Sequence, residues 1–90
     1  MLNSFVVTTF YKFVDLPDFE DKRVKFIKFC NDNKIKGTIL LAQEGLNSTL
    51  TGTREAIDAF YKFITSMTEF KDIEFKESFS EKMPFSRMKV

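Results

Sequence analysis

Thr38–Ala42 and Leu46–Thr51 are two strand-like runs separated only by Gln43-Glu44-Gly45. The first is apolar. The second alternates, with Leu46, Ser48 and Leu50 on one face and Asn47, Thr49 and Thr51 on the other. A short glycine-containing turn between two such runs makes a β-hairpin. This hairpin sits mid-chain with a helical pattern on each side, which sharply limits the folds available.

Upstream, the spacing predicts a helix from about Asp18 to Asn33. Val24, Ile27 and Cys30 recur at helical intervals with Phe26 beside them. Pro17 suits the first turn, and Asp18, Glu20 and Asp21 place acid where the helix dipole favours it. Asn33 is expected to close the helix in a left-handed conformation. Downstream, Thr53 is a candidate N-cap and Glu55 lies in the first turn. Ile57, Phe60, Tyr61, Ile64 and Met67 follow as one stripe.

Two further strands complete the pattern. Phe5–Val14 is β-branched and aromatic without Gly or Pro, and Asp72–Ser78 alternates Ile73 and Phe75 against Glu74 and Lys76. The order is β-α-β-β-α-β. It predicts an α+β fold of the ferredoxin-like type, a topology that also houses acylphosphatases: an antiparallel sheet with two helices on one face. Ile39, Leu40 or Leu41, Leu50, Ile57, Phe60 and Ile64 are its expected core. After Pro84, Met88-Lys89-Val90 begins another alternating run and stops without a turn. That reads as residues 1–90 being a single N-terminal domain cut from a longer protein. The word FYKF occurs at Phe10–Phe13 and Phe60–Phe63, once in a strand pattern and once in a helix pattern, so it is not a structural repeat.

A chain of 90 residues is one domain, burying roughly 65% of its unfolded surface. Net charge is +1, so no global field announces a nucleic acid or membrane. No apolar run reaches the ~20 residues of a membrane span, and the N-terminus lacks the features of a signal peptide. One cysteine, Cys30, and no histidine make a structural zinc site unexpected and exclude Ser-His or Cys-His catalysis within the chain. The absence of any internal disulfide fits the cytosol. Twelve Phe and no Trp is explained more simply by a phenylalanine-rich core and AT-rich codon usage than by a functional aromatic surface.

Glu44 has no histidine or second carboxylate near it in sequence, so a turn is favoured there over acid–base catalysis. Gly45 suits a positive φ and Asn47 suits turn or edge hydrogen bonding. Cys30 falls late in a helix on its apolar side, where a thiol is buried and inert. Acylphosphatase chemistry needs a phosphate-cradling loop with an Arg after the first strand. Here that loop is Val14-Asp15-Leu16-Pro17, acidic and without Gly or Arg. A ferredoxin-like sheet leaves one face free of helices, and RNA-recognition domains place aromatics and lysines there. Tyr11, Lys12 and Phe13 on the first strand, and Phe75 and Lys76 on the last, raise that reading. No RNP-type motif is present, and coverage of the face by a second domain is the favoured alternative.

YKFVDLPD, GTILLAQEGLNST, GTREAID and KESFSEKMPFSRMKV resemble the N-terminal domain of the rhodanese-fused tRNA uridine hydroxylases. The resemblance covers nearly the whole chain, with Ser48 standing where that family usually shows glycine. It implies a full-length, cytoplasmic oxidoreductase that converts the wobble uridine of certain tRNAs to 5-hydroxyuridine, with molecular oxygen as co-substrate. The catalytic cysteine would lie in a rhodanese domain following Val90. This domain would then carry no catalytic residue, cofactor or metal of its own, and would support the rhodanese domain and contact tRNA. The candidate contacts are Lys12, Lys36, Glu44, Asn47, Lys76, Arg87 and Lys89. The alternative is a free-standing small ferredoxin-like binding or acylphosphatase-type domain.

Overall fold

A computed structural model describes residues 5–85 and 88–89. The order is β1 (Phe5–Phe13), α1 (Phe19–Asp32), β2 (Lys36–Ala42), β3 (Gly45–Gly52), α2 (Arg54–Thr65), a 3-10 turn (Thr68–Phe70), β4 (Lys76–Ser80) and β5 (Met88–Lys89). The strands form one sheet in the order β4-β1-β3-β2-β5. The first four are antiparallel neighbours, as a ferredoxin-like fold requires. β5 departs from the all-antiparallel expectation. It runs parallel to β2, pairing Met88 with Gly37 and Lys89 with Thr38. Among the described residues, no helix is long and apolar enough to cross a membrane.

Both helices cover one sheet face. Val6, Thr8 and Phe10 of β1, Ile39 of β2, and Leu46, Ser48 and Leu50 of β3 point toward them and are buried. The expected core residues Ile39, Leu50, Ile57, Phe60 and Ile64 are wholly enclosed. Leu41 packs partly against this core, whereas Leu40 faces outward. Much of the phenylalanine lies between the helices. Phe29 stacks on Phe63 with centroids 4.3 Å apart, and Phe26 meets Phe60 and Phe63 edge-on. Stacked and edge-to-face rings add to the area they bury. The two copies of FYKF lie in β1 and α2.

Three local expectations change. In α1 the buried line is Lys22, Phe26 and Cys30, while Val24 is exposed. The i, i+4 row sets the buried face, and Lys22 joins it because its ammonium reaches Asp18 at 3.0 Å and Glu69 at 3.6 Å. The left-handed residue after α1 is Lys34, at φ 58°; Asn33 instead donates its side-chain amide to the Phe29 carbonyl. The last antiparallel strand begins at Lys76, four residues later than the alternation suggested. The Ile73 amide is spent on the Phe70 carbonyl, continuing the turn begun at Thr68. Ile73 is buried, and Phe75 lies against Tyr61 and Phe10. Its alternation anchors a loop to the core.

Candidate nucleic-acid interface

The period-two geometry of strands assigns each residue to a face. Phe5, Val7, Thr9, Tyr11 and Phe13 of β1 lie on the helix-free side, because their β1 neighbours Val6, Thr8 and Phe10 fill the core. The register carries that side across the sheet. Lys76 pairs with Thr9, Thr9 with Thr49, Thr49 with Thr38, and Thr38 with Lys89. Three threonines thus form one cross-strand row with a lysine at each end. At strand spacings of about 4.8 Å, the two lysine Cα atoms stand roughly 19 Å apart. The next row toward the hairpin is Tyr11, Asn47 and Leu40, and the next row away contains Ser78, Val7, Thr51 and Lys36; there the face is closed over, with Thr51 wholly buried and Val7 and Lys36 half-buried.

Lys36, Lys76 and Lys89 are the only charged side chains on this face among the described strand residues. None makes an ion pair with a described residue. The strands of this face carry only positive charge although the chain is nearly neutral; at its β1 edge Asp72 and Glu74, from the loop before β4, line one hollow with Thr9, Tyr11, Asn47, Thr49 and Lys76, and Asp72 is paired with Lys12. The helical side carries both signs, with pairs such as Lys28–Asp32 and Arg54–Asp58.

The structure brings together four of the seven candidate contact residues: Lys36, Asn47, Lys76 and Lys89. Lys12 does not join them. It pairs with Leu46 on the helix side and its ammonium is bound to Asp72, whose carboxyl it holds below the usual carboxylate range. Glu44 is exposed in the hairpin turn, off the lysine row. Arg87 lies outside the described residues. Phe75 also leaves the proposed aromatic surface, being held between Tyr61 and Phe10 on the helix side. Sequence reasoning missed Thr9, Thr38 and Thr49. No local pattern marks them, since only the register of four strands puts them in line.

The hairpin turn is stitched to the loop after β1. The Val14 amide donates to the Glu44 carbonyl at 2.9 Å, and the Leu16 amide to the Gln43 carbonyl at 2.8 Å. Two backbone donors that a phosphate cradle would need are already spent, in a loop carrying Asp15. Gly45 adopts φ +143°, and a Cβ there would collide with the Lys12 carbonyl oxygen. The adjoining surface is apolar. Phe13 is 82% exposed and Leu40 63% exposed, around a shallow hollow of about 200 Å³ that also includes Ala42. Ser48 is accommodated by donating its hydroxyl to the Thr38 carbonyl at 3.1 Å.

Sheet order and helix placement define an α+β domain of acylphosphatase-like build, with a row of lysines and threonines across its helix-free face. Residues 5–90 match the family model described as "UPF0176 acylphosphatase like domain", and the chain belongs to that family. The tRNA uridine(34) hydroxylase of Anaplasma phagocytophilum is 42% identical over the whole chain. That of Wolbachia pipientis wMel is 47% identical over 97% of it, and that of a Picosynechococcus species 44% over 99%. The chain spans only 30–32% of the length of these relatives. A bacterial light-regulated adenylyl cyclase superposes with a TM-score of 0.63, covering 97% of this chain and 28% of that one; at 21% identity the likeness is one of fold.

Proposed function

We propose that this chain is the non-catalytic N-terminal module of an oxygen-dependent tRNA hydroxylase that makes 5-hydroxyuridine at the wobble uridine. In this reading it braces a following rhodanese domain, adds contacts to tRNA and works in the cytoplasm. Molecular oxygen is consumed elsewhere in the full-length enzyme. The observation that carries the proposal is similarity along the entire chain, at 42–47% identity, to the N-terminal third of enzymes named for that modification. The helix-free face supports it by offering the Lys76–Lys89 row to an anion, and the apolar hollow beside Phe13 and Leu40, at the hairpin end of the same face and beyond that row, offers a seat for a neighbouring domain. A free-standing acylphosphatase-type enzyme is disfavoured by Asp15 and by the spent amides of Val14 and Leu16.

The test is a chimera. This chain replaces the N-terminal third of the Wolbachia relative, and the product is expressed in bacteria stripped of their own wobble-uridine hydroxylation. Mass spectrometry of tRNA nucleosides should then show 5-hydroxyuridine. A soluble, folded chimera that makes none would overturn the assignment.

A further inference from the structure

We propose that the helix-free face binds single-stranded RNA running across its strands, with phosphates held at Lys76 and Lys89 and a base stacked on Tyr11. The choice of RNA as the anion rests on the functional reading above; the location and its chemistry rest on the sheet itself.

The charge pattern comes first. The described strands give the face three ammonium groups and no carboxylate; the neighbouring acids are Asp72, paired with Lys12, and Glu74, both at the β1 edge beside Tyr11 and Lys76. A protein partner seated on the lysine–threonine row itself, rather than on the apolar hollow at the hairpin end, would have to bury these lysines and the three hydroxyls between them, at a desolvation cost it must offset with matched acids. A polynucleotide supplies phosphate at every step and leaves the lysines partly hydrated.

The second argument is the row. Thr9, Thr49 and Thr38 present hydroxyls, able to donate or accept, between two cations roughly 19 Å apart. That distance suits an extended strand bridging several nucleotides better than one compact anion.

The third is the adjoining aromatic. Tyr11 is 63% exposed and lies two residues along β1 from Thr9, roughly 7 Å from the row. Phe13 meets its ring edge-on, with centroids 5.8 Å apart, which helps hold it in place. Asn47 is directly opposite Tyr11, so an amide that both donates and accepts stands beside the ring. Base stacking on an exposed aromatic, flanked by an amide and tracked by lysines, is how sheets hold unpaired RNA; the deep, narrow major groove of an RNA duplex would not admit this surface.

The experiment is a titration of this chain with oligouridine, followed by amide chemical shifts and by fluorescence anisotropy at several salt concentrations. Shifts should concentrate at Thr9, Tyr11, Thr38, Asn47 and Thr49. The double variant Lys76→Glu/Lys89→Glu should bind at least tenfold more weakly at low salt. Replacing both lysines with alanine should lower the log–log salt slope by about 1.4, which is ~0.7 for each single-strand phosphate that is no longer neutralised. Lys76→Arg/Lys89→Arg should bind like the parent. Tyr11→Ala should weaken binding about five- to a hundredfold while leaving the salt slope unchanged. The control Lys25→Glu/Lys62→Glu makes the same charge change on exposed helix positions and should have little effect.

Equal losses in the two charge-reversal pairs would overturn the site, as would absent binding at low salt. So would shifts on the same face produced by the separately expressed remainder of a relative's chain, with none from RNA. The two proposals fail separately. A chimera that hydroxylates tRNA while this chain ignores RNA removes the face as an RNA site and keeps the module assignment. RNA binding with the expected variant pattern beside an inactive chimera does the reverse.

Discussion

Arg54 clasps Glu77 with both terminal nitrogens, Nη1 donating to Oε1 at 3.0 Å and Nη2 to Oε2 at 2.7 Å. The first residue opens α2 and the second lies on edge strand β4, so the fork fastens the outermost strand to the helix layer. The Tyr61 hydroxyl joins from the next helical turns, hydrogen-bonded to Glu77 and to the buried Thr8 hydroxyl. Its single proton goes to the carboxylate, leaving the Thr8 hydroxyl to donate to its oxygen.

This clasp makes stability depend on pH. The Arg54 guanidinium, and then the Tyr61 hydroxyl, hold the Glu77 carboxyl down at about 2, below its ordinary 4.5. Between those values the unfolded chain binds more protons than the folded one. The contribution is therefore complete above about pH 4.5 and fades as pH falls toward 2. The pair is partly open to water, so its worth is about 1 kcal/mol. Denaturant midpoints measured from pH 7 to pH 3 should fall less steeply for Glu77→Gln than for the parent. Parallel curves would show that the clasp contributes nothing.

Thr51 gives an opposite kind of expectation. Its side chain is wholly buried and its hydroxyl finds no hydrogen-bond partner among the described residues. An unsatisfied buried hydroxyl costs roughly 1–3 kcal/mol. Thr51→Val keeps the β-branched shape and removes the polar atom, so it should stabilise the domain by about 1 kcal/mol in urea unfolding. A loss of stability of that size would mean that the hydroxyl is satisfied in solution.

Gly45 closes the hairpin against β1. A side chain there faces both the φ of +143° and the Lys12 carbonyl. Gly45→Ala is expected to destabilise by at least about 2 kcal/mol. It should also disturb the Val14 and Leu16 amides, whose acceptors flank the turn. Retained hydrogen-exchange protection at those two amides, with an unchanged unfolding midpoint, would contradict this.

Cys30 is fully enclosed, and burial pushes its thiol up to about 12 from 9.0. A neutral, inaccessible thiol reacts only when the fold opens. Ellman's reagent should label native protein slowly, with a rate that climbs with added denaturant. The same raised value means that this group's contribution to stability is complete below pH 9 and is lost as pH rises toward 12. Rapid labelling of native protein at neutral pH would refute the buried placement.

The long periodic segments were legible in the sequence because one residue type repeats where one face is dry. The stripe from Ile57 to Ile64 and the hairpin around Gly45 are of this kind, and Thr53 caps α2 as its position suggested, accepting from the Ala56 amide. Val24 misled because α1 is curtained by aromatics and a lysine; Lys22 looks exposed in sequence and is buried by its ion pairs. Ile73 and Phe75 misled because alternation does not separate a paired strand from a loop pinned by two apolar side chains. The lysine–threonine row was invisible for a different reason. Its members are drawn from residues 9, 38, 49, 76 and 89, and only pairing register puts them in line. Lys12 shows the converse, since one step of parity sends it to the opposite side.

The position of β1 has a consequence for how the chain is made. Of the five strands of this sheet it is the first to be synthesised, yet it lies second in the sheet, between β3 and β4. One flank can be satisfied once residues 45–52 emerge; the other waits for residues 76–80. During that interval the Phe5–Thr9 backbone is a bare ribbon of unpaired amides and carbonyls bearing aromatic and β-branched side chains, which is a template for unwanted strand addition. A nascent chain stalled after α2 is therefore the species most exposed to self-association, and arrival of the short β4 ends that vulnerability during synthesis.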